Sequence, residues 1–406
     1  MKRDLFTSAI GIGAGQLVLL LSTPFLARIY SPSEFGSYAA LIASSSLLAT
    51  VATLRFDAAL PAVPNQDVKP LFQISIFLPF IISLCALFAI SITDVVGEKL
   101  ASIVVVPLSW IATVGALLGA TNVCQSWYTR SGKFSHVAAI KILQPIIFSL
   151  IAFSAVAGLE GALSFSWLFV FLVALFGCRK ALLNIDIKLI GKALKNSRHY
   201  PLLSVPMALL DTLSLAIPIF FIISEFGESS GGNYSQVQRL LAAPLILLGI
   251  AVGQVFFKYA GDLYRSGQSF EPLLRRIVLS LFGSGFFVLI VTYIFGEQLI
   301  SFLLGEGWRN DLKFLILTIL PVIFRMIVSP ISNAFLITNN LKILSLWQTL
   351  YFAVTVSVLV ISKNRFDFEE YLLALCISEF IMYCIYLMFA IFVTRASRQI
   401  SASNTT

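Results

Sequence analysis

Charge is scarce in this chain. Only 12% of its residues are Asp, Glu, Lys or Arg, about half the share usual in soluble domains, so an aqueous fold has too little polar surface to build from. Histidine is scarcer still. His136 and His199 are the only two, each in a basic connection without a second ligand at a useful spacing, and no metal site or other cofactor is expected. The five cysteines (Cys85, Cys124, Cys178, Cys376, Cys384) lie in or at the ends of apolar runs with no Cys-x-x-Cys. They read as small hydrophobes rather than a disulfide framework. No Ser-His-Asp set, paired-carboxylate motif or phosphate-cradling glycine loop is present. Gly11, Gly13 and Gly15 do contain a Gly-x-x-x-Gly spacing, but no strand precedes it, so it speaks for close helix packing.

What fills the chain instead is apolar: 58% of its 406 residues, with a mean hydropathy of +0.92. A membrane-spanning helix takes about 20 such residues. We read twelve spans, at 5–27, 36–54, 71–92, 101–127, 137–157, 161–178, 201–223, 235–257, 277–295, 312–337, 343–361 and 371–393. The fold class expected is therefore an all-α membrane protein. The first run is longer than the roughly 7–15 residues of a signal-peptide core and lacks a small-residue cleavage site, so it reads as a retained span. Of the 28 lysines and arginines, twenty fall in connections on one face. Six fall on the other, and Arg239 and Arg325 fall within spans. By the positive-inside rule both termini are cytoplasmic. The net charge of +8 is mostly this asymmetry and calls for no nucleic-acid partner.

The longest connection, 179–200, is basic and amphipathic, with Leu182, Ile185, Leu189 and Ile190 between lysines. It is expected to form a helix on the inner leaflet. It separates a six-helix lobe over 1–178 from a second over 201–406. The lobes carry matching segments: Glu34-Phe35-Gly36 with Tyr38 against Glu225-Phe226-Gly227 with Tyr234, and Val96-Gly97-Glu98-Lys99-Leu100 against Phe295-Gly296-Glu297-Gln298-Leu299. Six spans per half give both halves one orientation and a pseudo-two-fold axis along the membrane normal, with a cavity between them. Nine prolines fall within the spans (24, 79, 107, 145, 206, 218, 244, 321 and 330). Each removes a backbone hydrogen bond, giving either tolerated kinks or hinges. Tyr30, Tyr38, Trp110, Trp127, Tyr128, Tyr200, Tyr234, Trp308 and Trp347 lie near span ends and read mainly as interfacial belts.

A charge at the bilayer centre costs about 2.5–3.5 kcal/mol even on a lenient scale, so buried charges are the best pointers to function. They are Asp211, Arg239, Arg325 and Glu379, with Arg28 and Arg55 at span ends. At about 1.5 Å per residue, Asp211 lies about 15 Å from the inner end of its span and Arg325 about 20 Å from the outer end of its own. Both are near the midplane, where they can pair. In one reading that pair is structural, and Arg28, Arg55 and Arg239 snorkel to the nearest interface. In the other, the arginines line a wet cavity and grip an anion with their planar forks, while Asp211 or Glu379 serves ion coupling.

One stretch carries more than composition. Ser31 to Glu34 has the form of a capping box with Pro32 at the first helical position. Arg28 lies just before this turn and Arg55 about one membrane thickness after it. "Arg-Ile-Tyr-Ser-Pro-Ser-Glu-Phe-Gly-Ser-Tyr-Ala" followed, one helix later, by "Leu-Arg-Phe-Asp-Ala-Ala" resembles the opening hairpin of Wzx-type polysaccharide flippases. These belong to the superfamily of multidrug, oligosaccharidyl-lipid and polysaccharide exporters. The resemblance implies a cationic cavity for a polyprenyl-pyrophosphate-linked oligosaccharide, with Arg28 and Arg55 in the matching motif. It also implies a bacterial cytoplasmic membrane, a proton or sodium gradient as driver and other polysaccharide-assembly proteins as partners. An organic-cation exporter would instead need a net acidic cavity. A membrane polymerase or ligase would need a catalytic outer loop, and the outer loops here are short and lack histidine.

Overall fold

A computed structural model of the chain describes residues 2–92, 106–338 and 340–403. Segment 96–100 of the second repeat match, with Lys99, and residues 101–105 of the fourth expected span lie outside these. Among the described residues every regular element is a helix. Ten helices among those residues are long and apolar enough to cross a membrane. The shorter apolar helix Gly11–Leu26 and a 23-residue helix over Leu108–Arg130 cover the two remaining expected spans. The chain is an all-α, multi-pass membrane protein, as its composition requires.

Two compact units are present, Met1–Asn233 and Tyr234–Thr406. The first begins with α1 (Lys2–Leu26), α2 (Pro32–Ala52), α3 (Phe56–Ala59), α4 (Asn65–Ser75) and α5 (Leu78–Ile92). It continues with α6 (Leu108–Arg130), α7 (Phe134–Phe153), α8 (Gly158–Cys178), α9 (Ile187–Asn196) and α10 (Val205–Phe226). The capping box forms: Ser31 N–H donates to Glu34 Oε2 at 2.8 Å, and Glu34 N–H donates to Ser31 Oγ at 3.4 Å. α1 packs on α7, and the glycine spacing is the reason. A Cβ at Gly11 would lie 2.5 Å from Ala138 Cα, and one at Gly15 would lie 2.3 Å from the Lys141 carbonyl oxygen. α9 forms as expected, capped by Asp186, whose carboxylate accepts from Lys188 N–H at 2.9 Å. It is tied to α4 by Asn196 donating to Asp67 at 2.9 Å.

The interfacial-belt reading fails for much of its list. Tyr30, Tyr38, Tyr128, Tyr234, Trp308 and Trp347 are buried. Several do not need water for their polar ends. Tyr30 and Tyr128 hydroxyls donate to the carbonyls of Ala152 and Ala174, each at 2.8 Å, and Trp347 Nε1–H donates to the Met382 carbonyl at 3.0 Å. The prolines also divide. Pro107 precedes α6, Pro79 and Pro206 sit in first turns, and Pro330 lies in a 3₁₀ break, so only the other five are internal to helices.

The tripeptide match is not a match of structure, because Glu34–Gly36 opens α2 whereas Glu225–Gly227 ends α10. These regions nevertheless come together within the first unit. α11 (Glu228–Arg265) starts against the first turns of α2. Ser33 and Ser37 hydroxyls donate to Glu228 Oε2 at 3.0 and 2.8 Å. A Cβ at Gly36 would meet the Glu228 carbonyl oxygen, and one at Gly232 would meet that of Pro32. The backbones touch, which only glycine permits.

The second unit holds the rest of α11, then α12 (Glu271–Leu304), α13 (Leu312–Val328), α14 (Asn333–Ile337), α15 (Leu341–Ser362) and α16 (Phe368–Ser403). α11, at 38 residues, is about 57 Å long, longer than the bilayer's hydrocarbon. Its core is aromatic, with Phe256, Phe270, Phe335, Trp347, Tyr351, Tyr383 and Tyr386. Before α13, Arg309 bonds Asp311 and Glu369, and Lys313 meets Glu369 at 2.6 Å. Asp311 also caps α13 by accepting from Phe314 N–H at 3.1 Å. The Asp311 hydrogen bond pushes the Arg309 guanidinium pKa up. Partial burial would raise the Asp311 carboxyl, but its bonds from Arg309 and Phe314 outweigh that and hold it low.

Two outcomes are expected. Gly232→Val forces a side chain into the Pro32 backbone and costs about 1–3 kcal/mol, lowering the melting temperature of the detergent-purified chain. Gly191→Ala, in a helix interior with open space around it, raises that temperature slightly, since Gly in a helix interior is about 0.5–1 kcal/mol less stable than Ala. Because the folded Asp311 pKa lies below its ordinary value of 3.8, its contribution is complete above that pH and is lost as the pH falls through the folded pKa. Thermal melts at descending pH therefore show a loss that Asp311→Asn, already lacking the contribution, shows to a smaller extent.

Candidate functional site

In a bilayer, every polar group without an internal partner must face water or be paired. Applying that test to the six expected residues separates them. Arg28 closes the turn after α1 and is exposed, Asp211 is exposed on α10, and Arg239 is half-buried on α11. Arg55 is held differently. Leu54 and Arg55 have φ of 49° and 58°, two successive non-glycine residues in the left-handed region. Each such residue costs on the order of 1–3 kcal/mol and persists only where its surroundings enforce it. The turn ends α2 and sets the Arg55 Nη1 atom 3.9 Å from Asp57 Oδ2. Arg55 Nε and Asp57 Oδ1 are buried with no hydrogen-bond partner. A guanidinium with unmet donor capacity beside a half-satisfied acid is suited to receive a ligand or water.

Arg325 is the centre of a network in the second unit. It lies on α13, in that helix's last turn. Its Nε donates to Tyr383 Oη at 3.0 Å and its Nη2 to Tyr351 Oη at 3.3 Å. Tyr351 Oη in turn donates to Glu379 Oε1 at 2.5 Å. Glu379 Oε1 stands 3.7 Å from Arg325 Nη2. Depth along the spans suggested Asp211 as the partner of Arg325. Within the second unit, the acid that faces Arg325 is Glu379. Depth gives height in the membrane but not the side of a helix, which is what decides the pairing.

The network is asymmetric. The Arg325 side chain is 42% exposed, whereas that of Glu379 is 6% exposed. Glu379 Oε2 is buried with no hydrogen-bond partner. Trp347 stacks on Tyr351 at 5.0 Å between ring centroids and lies edge-on to Tyr386 at 4.6 Å. The aromatic wall fixes the two tyrosine hydroxyls, and these aim the guanidinium. The arrangement can present a cation to an anion and exchange that anion for an internal carboxylate. Sequence reasoning found both charges but missed Tyr351 and Tyr383. The available signal was spacing: Glu379 and Tyr383 are four residues apart on α16, hence on one face.

No metal-holding group of three or more His, Cys, Asp or Glu residues is found among the described residues. The cysteines are free, with Cys124, Cys178 and Cys376 buried, Cys384 half-buried and Cys85 exposed.

Comparison with known proteins places the chain. The model of a family described as polysaccharide biosynthesis protein matches residues 25–313. A structure of the lipid II flippase MurJ in an inward closed conformation is similar with a TM-score of 0.72 at 15% identity, over 97% of this chain and 90% of that one. A transporter of the MOP superfamily, the multidrug, oligosaccharidyl-lipid and polysaccharide exporters, from Pyrococcus furiosus gives 0.58 at 14%, over 98% and 96%. An inward-facing multidrug MATE transporter of that superfamily gives 0.56 at 14%, over 97% and 95%. No curated protein matches the sequence. At these identities the structures speak for the fold, while the family match spans most of the sequence: the chain belongs to the polysaccharide biosynthesis protein family and has the fold of the MOP exporters.

Proposed function

We propose that this chain is a flippase. It moves polyprenyl-pyrophosphate-linked oligosaccharide units from the cytoplasmic to the outer face of a bacterial cytoplasmic membrane. The observation that carries the reading is Arg325: a guanidinium well inside a span, aimed by two buried tyrosines and still 42% exposed. Arginine stays charged and grips phosphate by two parallel bonds. The other arginines at span ends or within spans, Arg28, Arg55 and Arg239, are further cationic candidates for that anion. The excess of lysine and arginine on one side supports cytoplasmic termini. The prenyl tail stays in lipid while the polar head crosses by rocking of two halves, and no covalent chemistry is involved.

Glu379 supplies the coupling. While it is charged, it attracts Arg325 from 3.7 Å. When it takes a proton, that attraction is lost and the guanidinium is free for pyrophosphate. A proton and an anionic substrate thus favour the same state, and proton loss favours release. Asp211 is the alternative coupling group. The organic-cation exporter needs an accessible acid to hold its cargo; the buried carboxylate of Glu379 is engaged with Arg325 and Tyr351, which leaves the exposed Asp211 as the acid that reading would use.

In a strain lacking this chain, intact lipid-linked units accumulate on the inner face, and the wild-type gene restores transfer. Arg325→Ala lowers transfer at least about tenfold, as expected for about 1.5–3 kcal/mol of charged hydrogen bonding, at equal protein level. Arg325→Lys, with charge but no fork, falls between. Unpolymerised units on the outer face would instead assign the chain to polymerisation, and an unchanged lipid-linked pool would favour the cation exporter. In proteoliposomes, a proton gradient that is acidic on the loading face accelerates wild-type flipping, and Glu379→Gln removes that acceleration. If Asp211→Asn removes it and Glu379→Gln does not, the coupling role belongs to α10.

A further inference from the structure

α13 does not end cleanly. After Val328 the chain passes through a 3₁₀ segment, Ser329–Ser332, before α14 begins at Asn333. The break coincides with a polar stretch. Arg325, Ser329, Ser332 and Asn333 fall within nine residues of an otherwise apolar span. A groove of about 330 Å³ opens where this stretch meets α11, lined by Gly253, Gln254, Phe257, Ser329, Ser332 and Asn333. That volume is near the low end of the roughly 300–1,000 Å³ typical of small-molecule sites. All of it lies in the second unit.

The groove has a definite chemistry. None of its lining residues is charged, so it suits a neutral part of a ligand. The Asn333 amide N–H groups donate to the carbonyls of Gly253 at 3.3 Å and Pro330 at 3.1 Å, which leaves its carbonyl oxygen to accept. The exposed Gln254 amide adds donors and an acceptor, and Ser329 adds an exposed hydroxyl. Phe257 is 50% exposed and offers a flat apolar face at the edge. Facing hydrocarbon, amides and hydroxyls with open capacity would be costly, so the groove must meet water or a polar ligand. A rim of amides and hydroxyls around one open aromatic ring is complementary to a pyranose, which has hydroxyls at its edge and C–H groups on its face.

We infer that this groove is a saccharide subsite, which reads the sugar joined to the pyrophosphate while Arg325 holds the phosphate. The inference rests on the flippase reading. Ser329 is one helical turn, about 6 Å along the axis, from Arg325, within the reach of a sugar attached to a pyrophosphate held there. Specificity then comes from neutral groups on α11 and the broken helix, apart from the cationic grip.

The test uses the full chain purified in detergent and two probes. One is a bare polyprenyl pyrophosphate; the other is the pool of pyrophosphate-linked saccharides extracted from the producing cells. Wild type binds the second more tightly. Gln254→Leu and Phe257→Ala each reduce that preference about three- to tenfold, the size of one lost contact, and leave affinity for the bare lipid unchanged. Neither substitution removes a hydrogen bond that holds the fold. Asn333→Leu, which does remove such bonds, serves as a third variant, read only after its melting temperature is checked. Arg325→Ala weakens both probes equally and keeps the preference. If the groove variants keep the wild-type preference, or weaken both probes alike, the subsite is wrong while the flippase reading stands. If wild type binds neither probe, the flippase reading falls and takes the subsite with it.

Discussion

Inside a bilayer an unpaired polar group has no water to turn to, and nearly every feature of this chain answers to that constraint. It makes helices the only regular element among the described residues. It draws the hydroxyls of Tyr30 and Tyr128 and the indole of Trp347 onto backbone carbonyls instead of the membrane surface. It also makes the exceptions informative. Where Arg55 Nε, Asp57 Oδ1 and Glu379 Oε2 are buried without hydrogen-bond partners, the structure holds capacity that its own fold does not use.

The same constraint gives the Arg325 network its form. A guanidinium within a span needs acceptors, and a buried carboxylate needs donors. Tyr351 serves both, accepting from Arg325 and donating to Glu379. Its ring stacks on Trp347, so the hydroxyl is fixed in place. Arg325 remains partly open while Glu379 is closed off, so the cation and not the acid is the accessible member of the pair. Competition between an internal acid and an external anion for one guanidinium is a simple means of tying binding to protonation.

Close approach of backbones is the second theme. Gly11 and Gly15 let α1 lie against α7, and Gly36 and Gly232 bring the starts of α2 and α11 into contact, with Glu228 bonded to two serines of α2. Where membrane helices lack a hydrophobic drive to associate, such small-residue contacts and interhelical hydrogen bonds supply it. The break after Val328 has the opposite effect. It opens the helix beside Gly253 and leaves a polar groove within an apolar span.

The sequence by itself determined the class of fold. Long apolar runs, few charges and the Ser31–Glu34 capping box dictated where helices lie and where the first hairpin turns, because hydropathy and capping are local properties. It also identified Arg55, Arg325 and Glu379 as costly and therefore informative, and its Arg28–Asp57 motif pointed to the family. The tertiary structure decided which charges meet. Within the second unit Glu379 faces Arg325, a pairing that depends on helix rotation and neighbour, which span depth does not encode. It moved Trp347 from the expected interfacial belt into a buried aromatic wall, since its indole could reach a carbonyl 35 residues away. It also joined Gln254 and Phe257 to Asn333, residues of α11 and α14 that only packing brings to one groove.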